Sequence, residues 1–248
     1  MLDYTPAPDL LKERIILVTG AGDGIGAAAA KSFAAHGATV ILLGRSVRKL
    51  EAVYDAIEEA GHPQPIIHPL NLEKATPQHY EEIAATIDKE FGRLDGLLHN
   101  AGQLGTLTPM HQYDMKLWGK VMQTNLYAPY LMTRSLLGVL NASKDASVVF
   151  TTADVGRQGR AYWGAYGVAY GGVERMMQIW ADEVEVNTPI RMNSLDPGPT
   201  RTRMRRLAYP GEDPNTRPTA ESLMPAYLYL IGPDSKGITG QQFSAQGD

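Results

Sequence analysis

Two stretches of this chain carry residue types at spacings suited to chemistry. In TGAGDGIG, residues 19–26, Gly20, Gly24 and Gly26 stand between an apolar run and a helix-forming one. Glycines at such a turn let backbone N–H groups close on a pyrophosphate, and the following helix N-terminus adds partial positive charge. In AYGVAYGGVE, residues 165–174, Tyr166 and Tyr170 fall one helical turn apart, on the same face. A phenol can exchange a proton, but with an ordinary pKa of about 10 it needs a cation or a hydrogen-bond partner to do so readily near neutral pH. A third feature, the basic run RTRMRR at 201–206, suits either an anionic ligand or a solvated helix face.

These residues must be held by the elements around them. Short apolar runs alternate with longer amphipathic ones, the pattern of a parallel sheet covered by helices. Strands are expected at 14–20, 38–45, 65–72, 94–102, 146–153, 190–198 and 240–245. Helices are expected at 27–37, stopped by Gly37, at 46–61 with Ser46 as N-cap, and at 76–92 with Thr76 before Pro77. Longer helical stretches cover 118–140, 161–187 and 221–232. No repeat or Ser/Gly linker divides the chain, so one domain over 1–248 is expected, with ligands outside the carboxyl ends of the strands.

Composition narrows the function classes. With 44% hydrophobic and 20% charged residues, 248 residues supply an ordinary core. A formal net charge of −4 gives no general attraction to nucleic acid or anionic membrane. There is no cysteine, so disulfides and thiolate metal sites are excluded, and the six histidines show no i, i+4 metal spacing. His62 and His68 are read as solvated loop residues. The opening MLDYTPAPDL lacks the basic and apolar regions of a secretory signal, and no apolar run is long enough to span a bilayer. A cytoplasmic, metal-free protein is the expectation.

The ordered motifs give the chain a resemblance to the short-chain dehydrogenase/reductase family over nearly its whole length. TGAGDGIG matches the family's T-G-x-x-x-G-x-G loop, and HNAG (99–102) is similar to its N-N-A-G element, with His99 for the first Asn. Asn125 in QTNLYAP matches the active-site Asn, and PGPTRT (197–202) matches the P-G-x-x-x-T segment that meets the nicotinamide. The opening DLLKERIILVTGAGDGIG and GRQGRAYWGAY resemble a bacterial YciK-like subgroup. The resemblance implies a single Rossmann-type, doubly wound α/β domain of about seven parallel strands, commonly a homodimer or homotetramer, acting on a small-molecule carbonyl or alcohol. It implies cofactor contacts from Gly20, Gly22, Asp23, Gly24, Ile25 and Gly26, from Asn71 and Leu72, from Asn100, Ala101 and Gly102, and from Pro197, Gly198 and Thr202.

The second strand bears on the choice of cofactor. NAD-binding members end it with an acid that holds the ribose hydroxyls. Here it ends in Gly44 and Arg45, and a guanidinium pairs well with a 2′-phosphate, so NADP(H) is favoured over NAD(H). The alternative places Arg45, with Arg48 and Lys49, on a solvated helix start. Asp23, where some NADP binders carry a basic residue, works against the preference. Asn71 replaces an Asp that contacts adenine and keeps an acceptor.

The catalytic carry-over is incomplete. Tyr166 matches the family's acid/base and Asn125 its proton relay. The position of the Ser that holds the substrate oxygen is Ala153, and that of the Lys that binds the ribose and lowers the Tyr pKa is Tyr170. Thr152 carries a hydroxyl beside Ala153, but adjacent strand residues face opposite sides; Asp154 is expected to cap or solvate a turn. Gly164, Gly167, Gly171 and Gly172 crowd the same helix, which indicates either close packing or a segment that has drifted. Two functions stand open: an NADP(H)-dependent oxidoreductase with weak activity and a cofactor hold loosened by Tyr170, or a catalytically dead relative that binds cofactor or scaffolds a partner.

Overall fold

A computed structural model describes residues 4–247; the first three residues of the opening segment and Asp248 lie outside the described residues. Seven strands form one parallel sheet: β1 (Ile15–Thr19), β2 (Thr39–Gly44), β3 (Ile66–Pro69), β4 (Gly96–His99), β5 (Ala146–Thr151), β6 (Ile190–Asp196) and β7 (Gln242–Ser244). Their order is β3-β2-β1-β4-β5-β6-β7. Chain direction across the sheet therefore reverses between β1 and β4, and the crevice at such a switch point is where open α/β sheets take ligands.

Burial on both faces explains why the central strands are apolar without alternation. Every residue of β1 is buried. Leu17 faces one layer with Leu97, Phe150, Leu136 and Met177, whereas its neighbours Ile16 and Val18 face the other with Phe33, Leu50 and Leu230. On the first face lie α3 (Pro77–Phe91), α5 (Ala128–Asn141) and α7 (Gly164–Glu185); on the second lie α1 (Gly24–Ala35), α2 (Val47–Glu59) and α9 (Met224–Ile231). Asp145, just before β5, pairs with both Arg14 and Arg191 and so ties the amino ends of β1, β5 and β6 together.

Several expectations at element ends need correction. Helix α1 begins at Gly24, not at residue 27, because Asp23 already caps it by accepting the Gly24 N–H at 2.8 Å. Gly37 follows the helix at φ +95°, as a stop residue should. Ser46 occupies the N-cap of α2, but its side chain makes no capping bond. Thr76 precedes α3 as expected, its N–H donating to His79 Nδ1 at 3.1 Å. His68 is half-buried in β3 rather than solvated in a loop, and burial pushes its pKa down.

The expected helix over 118–140 starts earlier, at α4 (Met115–Met122), and passes through a π-helical turn, Gln123–Tyr127, before α5. One short helix was not legible in the pattern, α6 (Asp154–Arg157); another, α8 (Arg203–Ala208), carries most of the basic run for which a helix face was one of the two readings. The four glycines of α7 reflect close packing within the chain. A Cβ at Gly164 would lie 3.0 Å from the Tyr113 ring, at Gly167 3.0 Å from Val155 O, at Gly171 3.1 Å from Gly156 O, and at Gly172 3.1 Å from Leu126.

Candidate active site

A single open cleft of about 1240 Å³ runs along the carboxyl ends of the strands. Its floor at one end is the TGAGDGIG turn. Thr19 Oγ1 fastens this turn to the end of β4: it accepts the N–H groups of Asn100 at 2.9 Å and Ala101 at 3.0 Å and donates to Leu98 O at 3.2 Å. Gly20 and Gly24 take φ +69° and +53°, and a Cβ on Gly26 would lie 2.2 Å from Gly20 O. Only glycine permits so tight a cradle, and its shape fits a dinucleotide pyrophosphate over the start of α1.

Asp23 sits at this rim with an acid's charge, but it is paired with Lys49, whose ammonium, together with the Gly24 N–H, holds the carboxyl below the usual range. Arg45, at the end of β2, is exposed on the cleft beside Ser46 and Leu72 and has no ion pair or hydrogen bond among the described residues. Asn71 also lines the cleft, and one lone pair of its Oδ1 accepts the Glu73 N–H at 3.1 Å in a turn. Gly22, Ile25, Asn100, Ala101, Gly102, Pro197, Gly198 and Thr202 line the same cleft. Thr202 doubles as the N-cap of α8, accepting the Arg205 N–H at 3.2 Å, and lies beside Gly24.

At the other end stand the tyrosines. Tyr166 and Tyr170 project from α7 with ring centroids 4.6 Å apart, and the Tyr166 hydroxyl donates only to Met204 Sδ, at 3.5 Å, among the described residues. Burial, then the neighbouring Tyr170, pushes the Tyr166 pKa well above its usual value; burial lifts Tyr170 to about 12, against a lowering by the Tyr166 hydroxyl. No basic group counters either shift. Ala153 lines the cleft as the residue before α6 and presents no hydroxyl.

The neighbours of Ala153 do not replace it. Thr152 also lines the cleft, but it is buried and its hydroxyl donates to Glu174 Oε1 at 2.8 Å. Asp154 opens α6 and pairs with Arg160 at 2.6 Å. Asn125 lies in the π-helical turn, against the loop after β4. It is 1% exposed, and its amide donates to Gln103 O at 2.9 Å while accepting the Gln103 N–H at 2.8 Å. Both ends of the side chain thus bond the loop after β4.

Two residues of consequence were missed from the sequence. Glu174, one turn beyond Tyr170, is buried and accepts from Thr152, Arg157 and Ser194, joining β5, α6 and β6 beneath the cleft. A carboxylate on the apolar stripe of α7 was the signal for it. Asp196, at the end of β6, lines the cleft with its pKa raised by burial and accepts the Gly198 N–H at 2.8 Å. The basic cluster divides. Arg205 is held by Glu212 at 2.6 and 2.7 Å and Arg201 by Pro214 O, whereas Arg203 and Arg206 have no ion pair among the described residues. Among the described residues no cluster of metal-ligating groups occurs, and no helix is long and apolar enough to cross a membrane.

Comparison with known proteins agrees with this architecture. The family model for short chain dehydrogenases matches residues 14–213. The chain is 47% identical over 245 residues to the uncharacterized oxidoreductase YciK of Escherichia coli K12, covering 99% of this chain and 96% of that protein. Its fold superposes with a TM-score of 0.96 on a short chain dehydrogenase from Pseudomonas syringae, at 54% identity and covering 99% and 100% of the two chains. A Shigella flexneri 2a short chain dehydrogenase complexed with NADP gives a TM-score of 0.94 at 47% identity, covering 97% and 100%. The protein belongs to the short-chain dehydrogenase family, among its YciK-like members.

Proposed function

We propose that this protein is an NADP(H)-binding oxidoreductase whose carbonyl-reducing or alcohol-oxidising step is strongly attenuated. The observation that carries it is the continuity of one cleft from the glycine turn and Arg45 to Tyr166. The dinucleotide's pyrophosphate would rest on Gly20–Gly26, its 2′-phosphate against Arg45 and Ser46, and its nicotinamide end against Gly102, Pro197 and Thr202. When bound, NADP(H) supplies or accepts the hydride.

The remaining roles belong to the chain's own groups. Tyr166 holds the exchangeable proton at its phenol oxygen. Asn125 acts by fixing the Gln103 backbone, which shapes the cleft after β4. Ala153 leaves the substrate oxygen without its hydroxyl donor, a loss that by analogy with oxyanion donors is worth about 2.7–4 kcal/mol. Tyr170 brings no charge to lower the Tyr166 pKa, and its hydroxyl crowds Gly102, where an added Cβ would lie 2.6 Å from it. These two losses act on one proton transfer and do not simply add.

Titration with NADPH and with NADH, followed by nicotinamide fluorescence and heat, tests the assignment. Selective NADPH binding is expected. No binding of either at millimolar concentration would overturn it. Ala153 and Tyr170 specifically favour a second reading, a catalytically dead cofactor-binding or scaffolding subunit, which predicts NADPH binding with no turnover of any carbonyl compound.

A further inference from the structure

We infer that the end of the cleft beyond Tyr166 is a slot for a flat, ring-fused quinone. The hydride source rests on the function proposed above; the binding does not.

Its wall is a run of planar groups held in place. The Trp163 ring lies 5.5 Å from Tyr166 and 6.1 Å from Tyr209, centroid to centroid. The guanidinium carbon of Arg205 sits 3.7 Å from the Tyr209 ring centre, and Glu212 fixes that guanidinium through two hydrogen bonds at 2.6 and 2.7 Å. Tyr209 is therefore braced by Arg205 and Trp163 by Tyr166, all four on the cleft, before any ligand arrives. Leu117, Met204 and Ala153 line the same end, and Asp154 is occupied by Arg160. A row of aromatic rings, tilted 56° and 41° to one another, with apolar neighbours offers edge and face contacts that favour planar π-systems over puckered rings of equal size.

The absent polar groups point the same way. Hydride addition to a plain ketone builds an alkoxide, about as basic as hydroxide, whose conjugate acid has a pKa near 15.7. Such an oxygen needs a hydroxyl donor and a ready proton, which Ala153 and a Tyr166 with raised pKa do not offer. Hydride addition to a quinone builds a phenolate-type anion instead, with a conjugate acid near about 10. Quinone, NADPH and one proton balance hydroquinone and NADP⁺: the hydride carries both electrons and one hydrogen, and water supplies the other proton. Of the carbonyl compounds, quinones ask least of this site.

The test is equilibrium binding by calorimetry of 1,4-naphthoquinone against 2-decalone, which has the same carbon skeleton without the π-system. It is run on the whole protein, without cofactor and with NADP⁺, which has no hydride to give. The chain has no cysteine, so thiol addition to the quinone does not intrude. The quinone is expected to bind about tenfold tighter or more. Trp163→Ala and Tyr209→Ala should each abolish most of that preference, while Trp163→Phe and Tyr209→Phe retain it, all four checked for folding by circular dichroism. Equal affinities, or a preference that survives in both Ala variants, would overturn the slot. NADPH titration of the same samples separates the two assignments: quinone preference without NADPH binding sustains the slot and removes the oxidoreductase, and NADPH binding without quinone preference does the reverse.

Discussion

Tyr170 stands edge-on to Tyr166, ring centroids 4.6 Å apart and planes at 64°, both inside the chain's main core cluster. The pair puts an uncharged aromatic ring at the position that the resemblance aligns with the family's lysine. Because burial and Tyr170 both disfavour the Tyr166 phenolate, the phenol stays protonated through the neutral range and resists giving up its proton.

Restoring both lost groups should therefore recover chemistry. Ala153→Ser with Tyr170→Lys is expected to raise turnover by about a hundredfold or more, since one pKa unit is about 1.4 kcal/mol and an oxyanion donor is worth more. Steady-state NADPH oxidation with a panel of ketones and quinones measures it. The double variant should also bring the Tyr166 ionisation down into the accessible pH range. No gain on any substrate would locate the defect elsewhere in the cleft.

Arg45 has no protein partner among the described residues and faces the cleft at the end of β2. Arg45→Ala should weaken NADPH binding by about 10- to 100-fold, the worth of hydrogen bonds to a charged group, while NADH binding changes little. Equal loss for both cofactors would remove Arg45 from 2′-phosphate recognition.

His99 is fully enclosed at the end of β4, stacked on Phe150 at 4.8 Å and bonded through Nε2 to Thr133 Oγ1 at 2.9 Å. Burial depresses its pKa to about 3 from an ordinary value near 6.5. The unfolded chain thus binds a proton that the folded chain refuses. Stability from this group is complete above pH 6.5 and is lost as the pH falls toward 3, at up to about 1.4 kcal/mol per pH unit. Urea unfolding across that range should show the decline, and His99→Asn should flatten it.

Buried tyrosines produce the opposite slope in alkali. Burial raises Tyr80 and Tyr170 to about 12, so both stay protonated in the fold after the unfolded chain has begun to ionise near 10. Stability should fall as the pH rises from 10 to 12, and Tyr80→Phe, which removes a hydroxyl with no hydrogen-bond partner among the described residues, should reduce that fall. An unchanged alkaline slope in the variant would mean that Tyr80 is not the source.

At the amino ends of the strands, Asp145 serves two arginines at once, with Arg191 only 6% exposed. Asp145→Ala leaves both charges without their partner in a partly buried site and should cost about 3–5 kcal/mol of stability. Thermal or urea unfolding measures it; a loss below 1 kcal/mol would show that water takes over the carboxylate's role.

Much of this molecule was legible in its sequence, and for local reasons. Apolar runs alternating with amphipathic ones specify a parallel sheet between helices, and TGAGDGIG specifies a turn that only glycine permits, since a Cβ on Gly26 would collide with Gly20 O. The absence of Ser at 153 and of Lys at 170 needs no coordinates to be seen. What the sequence could not supply depends on contacts between residues far apart in the chain. The bonds of Asn125 to the Gln103 backbone, 22 residues away, and of Thr152 to Glu174, also 22 residues away, are of this kind. Helices α6 and α8 are too short to carry a periodicity, and the row Glu212, Arg205, Tyr209, Trp163 exists only once α8 lines the cleft. Periodicity and turn chemistry act between near neighbours along the chain and so can be read in order; the partners of a side chain are set by packing across the fold, and only the tertiary structure decides them.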